Sequence, residues 1–179
     1  VIRTLVLLCC FIGFQTEKPV ISWKDNYKLS WTDFKGEPKQ NSGAVAETAS
    51  GISFGFSLKK LESNVVSFST EVKAYFYPED SWFHPEQASA YILEHEQLHF
   101  DITELFARKF RKGISELKIS NNIKEQLKTL YKNSERGLGM MQRQYDAETN
   151  HSKNPEIQKE WQLYIKSELD KLSKYKSIE

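Results

Sequence analysis

Cysteine is nearly absent from this chain. Of 179 residues only two are cysteine, and Cys9 and Cys10 are neighbours inside one apolar run. A disulfide framework is therefore excluded, and the fold must rest on a packed core; a chain of this length buries one without staples, as a single domain. Charge of one sign is not in excess either. Lys and Arg number 25 against 24 Asp and Glu, a net charge of +1, so no global field points to nucleic acid or an anionic surface. The basic stretches 108–118 and 159–176 have Glu and Asp interleaved, the pattern of solvated helix faces, and no nucleic-acid partner is expected. There is no internal repeat and no low-complexity segment.

Long hydrophobic runs are also missing, with one exception. "LVLLCCFIGF", residues 5–14, follows Arg3; it is too short to span a bilayer as a helix and fits the apolar region of a secretory signal peptide. We expect residues 1–16 to be a signal peptide and 17–179 to be one exported domain, periplasmic or secreted. A buried N-terminal strand or helix is the alternative. Attachment to a membrane would run only through acylation of Cys10, which fits less well because bulky Leu8 stands where such signals carry a small residue.

What is present begins with short extended pieces, "VISWK" and "YKLSW", within 17–42. Two segments then alternate apolar and polar residues: 44–58 (Ala44, Ala46, Ile52, Phe54, Phe56, Leu58) and 65–77 (Val66, Phe68, Val72, Ala74, Phe76). Period two over such lengths predicts half-buried strands, and "KKLESN" between them predicts a hairpin. After Pro78 the period changes. Pro85 and Glu86 predict the start of a helix running to about Arg111 and ending at Gly113. A second helix is predicted from about Ile123 to Thr149, loosened at Gly137 and Gly139, and a third from Asn154-Pro155-Glu156 to about Tyr175. Strands first and helices after mean an α+β fold, an N-terminal antiparallel sheet packed on three C-terminal helices.

Histidine is scarce, four in all, yet two fall in "LEHEQLHFDI" at 93–102. On a helix, residues turn by about 100° each, so His99 lies about 40° around from His95 and one turn along. Both imidazoles can reach one ion, with Glu96 beside it. This is the geometry that His-Glu-x-x-His exploits: two nitrogen ligands and a carboxylate near an activated water. Ala88, Ile92, Ile102 and Phe106 fall on the same face, so the rings sit in a stripe that must be buried, where a metal satisfies them.

Two histidines do not complete a catalytic zinc site, which takes three protein ligands and an open position. Asp101 and Glu104 point away from His95, and His84 precedes the helix as a turn residue. The remaining cluster is "QYDAETNHS" at 144–152, where Gln142, Tyr145, Asp146 and Thr149 share a helix face. His151 lies at the helix end, where the chain is free to turn inward. The third ligand is expected to be His151, with Asp146 the alternative; whichever carboxylate does not bind is free to orient a ligand histidine. Trp23, Trp31, Trp82 and Trp161 are read as packing.

"HEQLHFDITELFARK" together with "QYDAETNHS" resembles a bacterial family of unknown function described as predicted secreted zinc-dependent proteases. "LSWTDFKG" at 29–36, "ETASGISF" at 47–54, Ser81-Trp82, Gln158 and Trp161 carry the likeness further, over roughly residues 20–170. The resemblance implies an exported zincin-like domain with His95, Glu96 and His99 as the active-site set, and it favours roles for Tyr145, Asp146 and His151.

The expected function is that of a zinc-dependent metallopeptidase acting on peptide or protein substrates. Zn2+ would sit on His95, His99 and a third ligand, Glu96 would serve as general base, and Tyr145 is a candidate donor to the developing oxyanion, with a buried structural tyrosine the favoured reading. An edge strand of the hairpin would align an extended peptide. Two rivals remain: an exported protein whose zinc only pins helices together, and a metal-free helical interaction module. A carboxylate beside the ion, as Glu96 is, favours hydrolysis.

Overall fold

The fold is described from a computed structural model over residues 18–40 and 42–177. The expected leader, with Cys9 and Cys10, lies outside the described residues. The architecture is α+β, as the order of patterns predicts. Strands β1 (Ile21–Ser22), β2 (Ala46–Glu47), β3 (Ser50–Leu61), β4 (Asn64–Phe76) and β5 (Trp82–Phe83) precede helices α1 (Ala90–Ser115), α2 (Ile123–Glu148) and α3 (Pro155–Lys171).

The centre of the sheet is the long antiparallel hairpin β3–β4, in register from Ser50 opposite Phe76 to Leu61 opposite Asn64, with one irregularity at Lys59/Lys60. Its turn is tighter than "KKLESN" suggested. Glu62 takes a left-handed conformation, φ 53°, which lets the strands run to positions 61 and 64. Ile52, Val72, Ala74 and Phe76 are buried on one face, and β1 pairs with the other edge of β4. The alternation of 44–58 does not belong to one strand, however. The strand is interrupted at Thr48–Ala49, where the Ser81 hydroxyl accepts from the Ala49 amide (2.9 Å) and the Thr48 hydroxyl donates to the Glu96 carbonyl (3.3 Å). Residues 46–47 pair instead with β5, as a separate two-stranded sheet.

Helix α1 packs its apolar stripe on the hairpin. Phe100, Ile102, Leu105 and Phe110 are at most 1 % exposed; Phe110 meets Phe54 edge-on at 4.8 Å, and Phe100 meets Phe76 at 5.8 Å. The helix begins later than Pro85 predicts. Pro85–Gln87 form a separate 3-10 turn, and extended Ser89 caps α1 by accepting from the Ile92 amide (3.2 Å), an arrangement that contributes about 1 kcal/mol. Gly113 does not end it; the helix continues to Ser115. Helix α2 is unbroken at Gly137 and Gly139. Gly137 serves a close approach: a Cβ there would lie 2.5 Å from Phe106 Cε1. Helix α3 starts as predicted, with the Asn154 side chain accepting from the Ile157 amide. It stops at Lys171, and Ser173–Tyr175 form a short 3-10 turn.

A buried ion cluster fastens α1 to its neighbours. Glu104, 1 % exposed, accepts from Arg108 Nε (2.8 Å) and Arg111 Nη1 (3.1 Å). Arg108 Nη1 donates to the Leu169 carbonyl at the end of α3 (2.7 Å). Arg111 donates to the carbonyls of Val72 in β4 (2.9 Å) and Tyr175 (2.9 Å). Among the described residues no helix is long and apolar enough to cross a membrane.

Candidate metal centre

The two α1 histidines meet one residue of α2. The Nε2 atoms of His95 and His99 are 3.3 Å apart. Asp146 Oδ1 lies 2.9 Å from His99 Nε2 and 3.3 Å from His95 Nε2. Among the described residues, these three form a group whose ligand atoms all lie within 4.8 Å of one another. His95 is 4 % exposed, and the Asp146 side chain is about one-third open to solvent.

The far side of each ring decides what the near side offers. His95 Nδ1 faces Gln158 Oε1 at 3.1 Å, and that amide is oriented by its own Nε2, which donates to the Tyr91 carbonyl (3.2 Å). His99 Nδ1 faces Gln142 Oε1, and Gln142 Nε2 donates to the His99 carbonyl (2.9 Å). Both rings thus carry their proton on Nδ1, and a neutral imidazole so protonated has only a lone pair on Nε2. While both rings are neutral, two lone pairs and a carboxylate oxygen therefore converge with no hydrogen among them. Such a set requires a cation or an added proton.

Charge and spacing agree with that requirement. Burial alone would raise the Asp146 carboxyl, but the hydrogen bonds and charges of both imidazoles outweigh it and hold it far below the usual carboxylate range. Burial alone would lower His99, but the Asp146 hydrogen bond and the Glu96 and Asp146 charges outweigh it, and its pKa is raised. Ligand atoms about 2.0–2.1 Å from a tetrahedral zinc lie roughly 3.3 Å from one another. The observed edges of 2.9, 3.3 and 3.3 Å are near that spacing, the Asp146–His99 edge being the shorter one. The glutamines act as the outer partners that fix ring tautomer in metal sites.

These atoms form the floor of a cavity of about 800 Å3, walled by segment 43–50 on one side and by Glu135, Leu138, Gly139 and Gln142 of α2 on the other, with His151–Lys153 at its mouth. Glu96 also lines it. This residue is 4 % exposed, and its Oε2 is buried without a hydrogen-bond partner. A carboxylate oxygen in that position is destabilising unless a donor arrives from the cavity.

His151, the expected third ligand, is placed elsewhere. It is exposed at the cavity mouth, and Asp146 takes the position beside the imidazoles. The reason is local. The His151 amide donates to the Asp146 carbonyl (2.8 Å), and Asn150, His151 and Ser152 then run left-handed at φ 49°, 51° and 64°. Three consecutive left-handed residues without a glycine are costly, roughly 1–2 kcal/mol each. The run is held at its base by the Thr149 carbonyl, which accepts from both Lys153 and Asn154 amides at 2.9 Å.

Tyr145 takes the buried structural role and not that of a donor to substrate. It is 0 % exposed, stacks on the His95 ring at 4.4 Å and 22°, meets His99 edge-on at 5.0 Å and backs onto Trp161 at 5.4 Å. Its hydroxyl is buried without a partner, and burial pushes the phenol far above its ordinary range. The ring braces the imidazoles from behind and does not line the cavity.

The residues set aside from the sequence are indeed elsewhere. Asp101 accepts from Trp23 Nε1 (2.7 Å), Glu104 belongs to the arginine cluster, and His84 faces Trp82 edge-on at 5.4 Å.

Residues 24–152 match a family described as a bacterial protein of unknown function, DUF922. The chain belongs to the DUF922 family. No curated protein and no solved structure matches it. The DUF922 span holds both histidines, Glu96, Asp146 and His151. It ends before α3, so Gln158, which sets the His95 tautomer, lies outside it. Of the two outer partners, Gln142 shares a predicted helix face with Asp146 and was within reach of the helical repeat. The role of Gln158 depends on how α3 packs on α1, which no local pattern reveals.

Proposed function

We propose that this DUF922 chain is a zinc-dependent peptidase. The observation that carries the reading is the unpartnered, buried Glu96 Oε2 beside three converging acceptor atoms at the floor of an open cavity. A site meant only to pin helices together has no use for a second, free carboxylate or for a cavity over its ligands. His95, His99 and Asp146 would hold the metal; two imidazoles and one carboxylate suit zinc. Zinc supplies Lewis acidity there, polarising a carbonyl and lowering the pKa of water.

Glu96 takes the proton from the attacking water and returns it to the departing amine, the work of a general base and then a general acid. Gln142 and Gln158 keep both imidazoles in the ligating tautomer. Tyr145 keeps the rings from rotating. His151, exposed at the mouth, would be a donor to the substrate carbonyl or the leaving group. Peptide alignment falls to the 43–48 segment. One edge of β2 is taken by β5, and among the described residues no further strand pairs with β2, so an extended peptide can add there by main-chain hydrogen bonds. We place the activity outside the cytoplasm, on the apolar run at 5–14.

The test is a pair of measurements on the chain from residue 17 onward. Elemental analysis should find about one zinc per chain in both wild type and Glu96→Gln. Cleavage of a broad peptide library should fall by on the order of 10²–10⁴-fold in the variant. Zinc-loaded wild type that cleaves no peptide refutes the proposal.

A further inference from the structure

A second cavity lies on the opposite face of α1. It is a groove of about 830 Å3 between α1, α3 and the 23–29 segment, a size suited to a small organic ligand. Leu29, Leu98, Ile165 and Leu169 give it an apolar floor, and Trp23 forms a wall.

Arg108 closes its inner end. The residue is 3 % exposed, with its guanidinium over the Trp23 ring at 5.1 Å. Its Nε and Nη1 are engaged by Glu104 and the Leu169 carbonyl. Its Nη2 is buried and has no hydrogen-bond partner. Beyond Glu104, a further counter-charge is Asp25 Oδ1, 3.5 Å from Nη2, on a side chain 54 % exposed; that carboxylate is shared with Lys176. Glu104 does not neutralise Arg108 alone, because Arg111 draws on the same carboxylate. The other acidic groups of the lining are engaged: Asp101 by Trp23 and Lys28, Asp170 by Lys166, and Glu94 by the Gln162 amide, which donates to it at 3.3 Å. What remains is a buried guanidinium nitrogen covered only by a loose, solvent-facing carboxylate. Burying a cation so poorly paired is destabilising, and a better-placed anion would relieve it.

We propose that this groove binds a small monocarboxylate with an apolar body, its carboxylate replacing Asp25 on Arg108 Nη2 and its body lying along the leucine and isoleucine floor. Charge-assisted bonding to a desolvated guanidinium selects the anionic head, and the floor selects the body. Helix α1 separates the groove from the metal centre, so the two sites are tested independently.

Decanoate, below its micellar concentration, is the probe. It is titrated into the zinc-loaded protein by calorimetry, with the Trp23 indole N–H resonance followed in parallel. One molecule should bind per chain and shift that resonance, while decylamine and acetate bind at least about 10-fold more weakly, the loss expected for one charge-assisted bond or for the apolar body. Asp25→Ala removes the internal competitor on an exposed loop and should tighten decanoate by about 3–10-fold; Arg108→Met, where it folds, should weaken it at least about 10-fold. No binding, equal binding of decylamine, or unchanged or weaker binding to Asp25→Ala overturns the proposal.

Discussion

Replacing Asp146 by asparagine keeps the side chain's shape and removes its charge. The carboxylate sits 2.9 Å from His99 Nε2 and 3.3 Å from His95 Nε2, so the variant loses the anion of the three-atom set while both imidazoles keep their outer glutamine partners. Four-ligand structural zinc sites contribute about 10–16 kcal/mol. One ligand's share is then roughly 3 kcal/mol, and an amide oxygen that still points at the ion recovers little of it. Zinc affinity should therefore fall by on the order of 10²-fold. The assay is competition against a chromophoric chelator at neutral pH, with circular dichroism to confirm that α2 is intact. His151→Ala, run beside it, should leave affinity within a few-fold of wild type. Wild-type affinity in Asp146→Asn, or a larger loss in His151→Ala, refutes the ligand assignment and with it the argument from converging lone pairs.

Gln142→Leu and Gln158→Leu should each lower zinc affinity by about 10–100-fold through loss of the tautomer-fixing contact, read by the same competition. Metal-free and metal-loaded protein should depend on pH with opposite sign. The raised His99 pKa means that its pairing with Asp146 stabilises the metal-free fold fully below about pH 6.5 and is lost as pH rises through the native value; the depressed Asp146 pKa carries the same pairing down to the acid limit, where it is lost as pH falls through that native value. The extra stability given by zinc should instead shrink as pH falls below about 6.5, because protons compete for Nε2. Thermal melts with and without chelator from about pH 5 to about pH 9 check both slopes. Glu104→Gln leaves Arg108 and Arg111 sharing a neutral partner in a buried cluster and should destabilise the fold by about 3–5 kcal/mol in urea melts.

The local half of the site was legible because it depends on one helix. The spacing of His95, Glu96 and His99 and the apolar stripe around them fix their relation without reference to any other element. The third ligand was open because it depends on where α2 crosses α1. The helical repeat puts Asp146 on a face with Gln142 and Tyr145, but it cannot say that this face meets His99. His151 was preferred because imidazole is the commoner ligand and the chain is free after the helix; the left-handed run at 150–152, which turns it to the cavity mouth, has no glycine to announce it. The hairpin and three helices followed from periodicity. The misreading at 44–58 has a different cause: alternation reports that a segment is half-buried, not which strand it pairs with, and it continues unbroken across the point where Thr48 and Ala49 are claimed by Glu96 and Ser81. Similarly, Pro85 marks a chain turn, but only the Ser89 side chain, free to accept from the Ile92 amide, marks where α1 begins.

The backbone at Asn150, His151 and Ser152 bears on how this protein balances durability against use. Glycine would adopt those angles with no steric penalty, and each larger residue there gives up roughly 1–2 kcal/mol, a sizeable fraction of the 5–15 kcal/mol that separates a typical folded domain from its unfolded chain. A molecule selected for toughness alone would sit more comfortably with that turn rebuilt. This one keeps an imidazole ring at the entrance to the cavity over its histidines and accepts a less robust chain as the consequence.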